Sequence, residues 1–479
     1  MTEHASTPSI VPEAIWTSEL LLARAARYAA YAFMVCMPWA TVFMDPVNPH
    51  DGARMWQSVV MSLAACALAR CGGPWYPVST AGRCALLSLV LFGGLSVLAA
   101  DKPTYAGLEA SAAVLLVVVA AVIARTDATI LLRELPGVLA TSALMSVLME
   151  LPRWAFFLAD GRVPQAADFG FMYMSHRFFN HAQSLILPMA FLPLLVPAAR
   201  WVRTAAWIGV TGGLALLWRT GGRGTVIAMV VFAIALPWIL KSQAKQVLRT
   251  FVLAALGGMA VYAAGFVLPA WLLGLAQEHG GNATTRLATA TDSGRFYLWK
   301  VALDDVMRHP WIGVGPMHYA HLPNLLAAHP HNSVAQWAAE WGIPVTACAL
   351  TTLGTLLGRA AKDLRRATQA PDVKMLLVIA GLATLVGAID SLVSGTLVMP
   401  VSQMWWFIAI GCMLACSAEP RSYSPDAGAS VRWIAVTTLV ALHVALSAIT
   451  YQRSIQPPEP TPTGLQRTNV PRYWINGFF

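Results

Sequence analysis

The sequence predicts an all-α polytopic integral membrane protein, and three observations carry that expectation. Apolar residues make up 57% of the 479-residue chain and charged residues 11%. Mean hydropathy is +0.59. Apolar runs of about twenty residues recur almost without pause, each long enough to cross a hydrocarbon core. A bilayer offers the backbone no water, so each run must satisfy its own hydrogen bonds. Helices do this, and the alternating pattern of a barrel is absent here.

The runs fall near 20–44, 53–70, 82–100, 104–124, 136–158, 182–198, 203–218, 225–240, 250–273, 334–357, 375–397, 401–418 and 432–450. They amount to about 12–13 transmembrane helices, the last run deciding between the two counts. The whole chain, 1–479, reads as one transmembrane domain with two long extramembrane pieces: a loop at 274–333 between the ninth and tenth spans, and a C-terminal tail at 452–479. Proline recurs in the tail, and its aromatics Tyr473, Trp474, Phe478 and Phe479 read as a membrane-interface anchor. Met1 to Glu19 is polar, with no basic region ahead of a short apolar core, so nothing there reads as a cleaved signal.

Basic residues set the orientation. Arg70 and Arg83, Arg125 and Arg133, Arg200 and Arg203, Lys241 to Arg249 and Arg359 to Lys374 fall in alternate loops, which marks that side as cytoplasmic. The N-terminus is then cytoplasmic, and the turn at 219–224, the loop at 274–333 and the tail lie on the opposite side. The net charge of +9 is spread through short loops and therefore reads as topology rather than nucleic-acid binding. The seven cysteines, Cys36, Cys66, Cys71, Cys84, Cys348, Cys412 and Cys416, fall mostly in apolar runs and form neither a disulfide framework nor a zinc site.

Six arginines break the charge pattern. Arg162, Arg177, Arg219, Arg223, Arg286 and Arg295 lie on the outer side, where planar guanidinium groups suit phosphate. Two of them flank the turn Arg219-Thr220-Gly221-Gly222-Arg223-Gly224. Its glycines let backbone N–H groups approach an anion, and the helix beginning near Thr225 points its positive end at the turn. A tight turn that needs glycine for its own geometry is the competing reading. In the long loop, Gly294-Arg295 leads through Pro310-Trp311-Ile312-Gly313-Val314-Gly315 to His329-Pro330-His331-Asn332. Asn332 or Ser333 is placed to cap the next helix, which would fix the ring of His331 as a general base; a packing role for the histidine pair is the alternative. Asp390 lies in an apolar run near its outer end, where a carboxylate is usually retained by a cation or a histidine. Glu340, nine residues beyond His331, reads as a structural hydrogen-bond partner, and nothing places Glu109, Glu150 or His443 at a site. Phe178-Phe179-Asn180-His181-Ala182-Gln183 stands before a span and serves either sugar hydroxyls or an interfacial cap.

In this order these residues resemble the O-antigen ligase family, whose relatives are the Wzy-type polymerases and the bacterial protein O-oligosaccharyltransferases. The likeness runs from about Asn180 to Asp390. It is carried by Thr220 to Gly224, Gly294-Arg295 leading into Trp299, Pro310 to Gly315, His329 to Asn332, and Asp390. The resemblance implies a GT-C-like glycosyltransferase architecture with its active site facing the periplasm from the bacterial inner membrane. It implies inverting transfer of O-antigen glycan from undecaprenyl pyrophosphate to a sugar hydroxyl of lipid A core in lipopolysaccharide biosynthesis. His331 takes the catalytic place, Arg223 and Arg295 the pyrophosphate-binding places, and Asp390, His329, Asn332, Arg219 and Asn180 the supporting ones. No paired acidic motif faces outward, so the expected reaction is metal-independent and without cofactor. Its partners are the lipid-linked donor, the lipid A core acceptor and membrane lipids, not nucleic acid. The family usually has Ser-Arg-Gly at the turn, and Gly222 stands here in place of the serine. A polymerase or a protein O-oligosaccharyltransferase with the same site is the alternative. A lipid-linked glycan flippase fits less well, since it would line a path through the bilayer with polar groups and show internal repeats.

Overall fold

Each of the thirteen apolar runs is helical over most of its described residues. The computed structural model describes residues 13–43, 47–71, 80–275, 294–321, 327–365, 370–417, 429–456, 471–476 and 479. The helices are α1 (Glu13–Phe43), α2 (Pro49–Cys71), α3 (Thr80–Ala99), α4 (Pro103–Ala124), α5 (Ala128–Leu148) with a short α6 (Leu151–Ala159), α7 (His176–Ala190) with α8 (Leu192–Leu195), α9 (Arg200–Thr220), α10 (Arg223–Ile239), and α11 (Ala244–Tyr262) with α12 (Leu268–Leu272). After α13 (Arg295–Arg308) come α14 (Ser333–Arg365), α15 (Pro371–Asp390), α16 (Pro400–Ala415) and α17 (Ala429–Ser454). Among the described residues there is no strand. The protein is an all-α polytopic membrane protein. Among the described residues seven stretches are long and apolar enough to cross a membrane: Pro103–Ala124, Ala128–Ala159, His176–Leu195, Lys241–Leu272, Ser333–Arg365, Pro371–Asp390 and Ser430–Ser454.

Local chemistry sets the ends of these helices. α2, α4, α15 and α16 open on proline, whose missing N–H is an orphan in any first turn. Asp127 caps α5 by accepting from the Thr129 N–H at 2.7 Å. α7 is buried along almost its whole length and packs against α9, α10, α15 and α16. α4 packs against α2, α16 and α17, and α14 lies against α3 and α13. The rim turns apolar side chains outward, among them Leu86, Leu87, Val90 and Leu98 on α3, and Val431 and Ile434 on α17. Such a surface suits lipid rather than water.

The long loop has structure of its own. α13 occupies its middle, and a tight turn spans His318–His321; residues 276–293 and 322–326 lie outside the described residues. What docks this loop is a break in α14. Gly342 has φ +82° and ψ 167°, a region that only glycine enters readily. The break frees carbonyls that an apolar medium would leave stranded, and the segment Pro310–Gly315 satisfies them. Val314 N–H donates to Ala339 O and Gly315 N–H to Glu340 O, each at 2.9 Å, while Ile343 N–H donates to Pro310 O at 2.8 Å.

The tail differs from the interface anchor that its aromatics suggested. Arg472, Tyr473 and Trp474 are buried inside the bundle. His50 Nε2 and Arg54 Nε contact Tyr473 O at 3.0 and 3.1 Å, Trp474 Nε1 donates to Thr450 at 2.9 Å, and Ile475 N–H donates to Asp51 at 2.7 Å. These polar partners lie on α2 and α17, and burying the aromatics against them removes more apolar surface from water than an interfacial position would.

The break in α14 makes a measurable prediction. A Cβ at position 342 would run into the Trp311 carbonyl, whereas one at Gly354 on the same helix meets nothing within 4 Å. Gly342→Ala should lower the stability of the detergent-purified protein by about 1–3 kcal/mol, the usual cost of a strained backbone. Gly354→Ala should be neutral or stabilising by up to about 1 kcal/mol. Thermal unfolding of the two variants side by side checks this, and equal melting temperatures would contradict the docking of the loop at Gly342.

Candidate active site

His331 stands on the last turn before α14, in a left-handed conformation with φ +53°. A non-glycine residue there carries strain of about 1–3 kcal/mol and persists only where its surroundings hold it. Three contacts do so. The His331 N–H donates to His329 Nδ1 at 3.3 Å, which leaves the His329 proton on Nε2. Trp299 Nε1 of α13 donates to Pro330 O at 3.1 Å. Asn332 caps α14 as its residue type suggests, its Oδ1 accepting from the Ala335 N–H at 3.0 Å. Ser333 N–H then donates to Ser391 O at 2.9 Å, joining this corner to the end of α15.

The two imidazoles meet edge to face, with ring centroids 4.2 Å apart. His329 lies buried beneath His331. His181 comes to the same place from α7: a Cβ at Gly395 would lie 2.7 Å from His329 Cε1 and 3.5 Å from His181 Nε2. Burial, then the charges of Arg295 and Arg177, push the pKa of His331 down to about 4. Burial, with His331 and Arg472 beside it, holds His329 well below the ordinary histidine range. Both rings are therefore neutral near pH 7. Burial contributes more to this than the arginines do, and loop position in the sequence did not convey that.

Arg223 and Arg295 occupy equivalent places, each the first residue of its helix (α10 and α13) behind a glycine. They therefore add side-chain charge where the helix dipole is already positive. Arg219 is held otherwise. Its buried guanidinium donates to Pro164 O, at 2.8 Å from Nε, and lies over Phe266, so it ties the 160–170 segment to α9. Arg162 bonds Asp168 at 3.1 Å and covers the Phe157 ring. Arg286 lies outside the described residues. Arg177, Arg223 and Arg295 are the candidates for an anion by position, Arg223 and Arg295 at helix starts and Arg177 in the field at His331.

Asp390 is buried, and its observed partners are hydroxyls rather than the cation or histidine expected. Ser184 donates to its Oδ2 at 2.7 Å, and Thr396 donates to the same oxygen. Oδ1 has no hydrogen-bond partner among the described residues and abuts Gly224 in the first turn of α10, where the helix dipole favours an anion. A Cβ at position 224 would collide with that oxygen. Asp390 thus seats the Arg223 turn on α7 and α15, while its neighbour Ser391 holds the His331 corner. Asn180 lies within α7, whose cap is Ser175, rather than ahead of the helix. Its Oδ1 accepts from the Thr220 hydroxyl at 2.7 Å, and its carbonyl accepts from Thr225 at 2.9 Å. Asn180 also explains the departure at the turn, since a Cβ on Gly222 would lie 2.7 Å from the Asn180 amide. Among the described residues no group of three or more His, Cys, Asp or Glu side chains is arranged to hold a metal ion.

Residues 207–350 match a family model described as O-antigen ligase. Over this stretch the chain is similar to the O-antigen ligase family. No curated protein matches it. The matched stretch contains Arg223, Arg295, His329, His331 and Asn332, whereas Arg177, Asn180, His181 and Asp390 lie outside it and pack against the same candidate site. Sequence order hid His181 and Arg177 as neighbours of His331, because α7 lies far from the loop in the chain and only packing joins them.

The packing of Asn180 on Gly222 predicts coupled substitutions. Gly222→Ser should lower the melting temperature, and Asn180→Ala in the same chain should recover most of the loss. The coupling between the two in a double-mutant cycle should be at least about 1 kcal/mol. Simply additive losses would mean that the amide does not exclude a side chain at position 222.

Proposed function

We propose that this protein is an O-antigen ligase, transferring O-antigen glycan from undecaprenyl pyrophosphate to a sugar hydroxyl of lipid A core at the periplasmic face of the inner membrane. The observation that supports it best is a neutral histidine, His331, on a strained and well-braced turn beside Arg295 and Arg177. Transfer to an alcohol needs a proton acceptor at the nucleophile and positive charge at the leaving group, and these residues supply both.

The acceptor hydroxyl oxygen attacks the anomeric carbon of the reducing-end sugar while its proton passes to His331. The bond from that carbon to the pyrophosphate oxygen breaks, and the electron pair leaves with undecaprenyl pyrophosphate. Arg223 and Arg295 receive the departing charge. A single displacement of this kind inverts the anomeric centre. The arginines do the work that a divalent cation does elsewhere, so the reaction proceeds without metal. Donor binding also tunes the base: pyrophosphate offsets the arginine field and makes His331 more basic in the complex than in the free protein. After transfer the imidazolium returns its proton to water.

Deleting the gene and inspecting lipopolysaccharide separates this reading from its nearest rival. Loss of all O-antigen on an intact core fits a ligase, whereas a core carrying a single repeat unit points to a polymerase. In a purified assay His331→Ala should reduce transfer by about 10²–10⁴-fold, the usual contribution of a general base, at normal membrane abundance. Arg223→Lys and Arg295→Lys should each fall well short of wild type, because an ammonium cannot reproduce a two-pronged guanidinium contact. An active, abundant His331→Ala protein would remove the base from the mechanism.

A further inference from the structure

We propose that Arg472 is a positioning residue for glycan transfer, holding the arginine-bearing and histidine-bearing parts of the site together from behind. The inference rests on the function proposed above and deepens it. Arg472 is buried, and one nitrogen, NH2, carries its carboxylate contacts among the described residues. It lies 2.9 and 2.8 Å from the two Glu109 oxygens of α4 and 2.6 Å from Glu340 Oε2 of α14.

Glu340 is the junction. Its carboxylate also accepts from the Tyr319 N–H at 3.2 Å and from Gln336 Nε2 at 3.1 Å. The Tyr319 hydroxyl donates to Leu298 O at 2.8 Å, inside the helix that begins with Arg295. The Gln336 N–H donates to Asn332 O at 2.9 Å, the residue that follows His331. A single carboxylate held by Arg472 therefore connects the Arg295 helix to the His331 turn. A second route runs along the segment itself. Arg472 O accepts from Arg54 NH2 at 3.4 Å, and the same guanidinium donates to Val398 O. Val398 N–H donates to Gly395 O at 2.9 Å, and Gly395 rests against His329.

The arrangement is sensitive because buried carboxylates without their cation rearrange or take up protons. Glu340 would then no longer hold Tyr319 and Gln336 in register. The cost should fall on the chemical step, which needs Arg295 and His331 in register, whereas Arg223 on α10 lies outside this network and still binds the donor.

The test uses the full-length purified chain, with undecaprenyl-pyrophosphate-linked O-antigen as donor and lipid A core as acceptor. Arg472→Met should lower kcat by about 10²-fold, the cost of a misplacement near 1 Å, with donor KM within about threefold of wild type. Arg472→Lys should recover most of kcat, because one ammonium can serve contacts that all pass through one nitrogen. Tyr319→Phe, which cuts the link to Leu298, should show the same fall in kcat without a change in KM. A folded Arg472→Met protein with wild-type kcat would overturn the proposal. Should that variant not accumulate, an unchanged kcat in Tyr319→Phe overturns it instead. His331→Ala in the same series separates the two ideas: a dead His331→Ala beside an active Arg472→Met sinks only the role of Arg472, whereas an active His331→Ala sinks the function it rests on.

Discussion

Backbone groups freed inside an apolar medium must find partners within the protein, and the break at Gly342 imposes that demand at one point in α14. The segment Pro310–Gly315 answers it, which draws the long loop down onto the bundle. Glu340 lies in the same turn and adds its side chain to the junction. Once the loop is held there, Tyr319 reaches Leu298 of α13 and Trp299 reaches Pro330, so the start of α13 and the start of α14 are fixed relative to each other. Arg295 and His331 sit at those two starts. The site thus depends on a defect in a helix and on how that defect is satisfied.

The apolar runs were legible because each must be helical in lipid whatever its neighbours are. The cap at Asn332 was legible for a similar reason: it is a local hydrogen bond between residues three apart. What lay beyond reach was chemistry assembled across the bundle. Ser184 and Thr396 hold Asp390 from two other segments, so a carboxylate that seemed to need a cation is held by hydroxyls. The glycine that replaces the usual serine at position 222 stood in the sequence as an unexplained departure and is room for Asn180. The aromatic tail looked interfacial because composition cannot distinguish a belt residue from one drawn inside by His50, Arg54 and Asp51.

Electrostatics ties the geometry to the chemistry. A histidine among arginines is a poor proton acceptor in the free protein, but it stays unprotonated near pH 7, and in the proposed mechanism a polyanionic donor reverses the field that suppresses it. In that mechanism the same arginines act twice, once in binding and once in switching the base on. Burial of His329 beneath His331 keeps a second positive charge from forming there.

That account is tested most directly by the acid limbs of the pH profiles for transfer by the purified protein. The kcat/KM profile reports the free enzyme and kcat the donor complex. With His331 pushed down to about 4, kcat/KM should stay flat from pH 7 down to about 5 and fall only below that, as protonation removes the base. The kcat limb should lie at higher pH, because bound pyrophosphate raises the same group. Coincident limbs near the ordinary histidine value of about 6.5 would show a base that feels neither burial nor the arginines, and would contradict the mechanism.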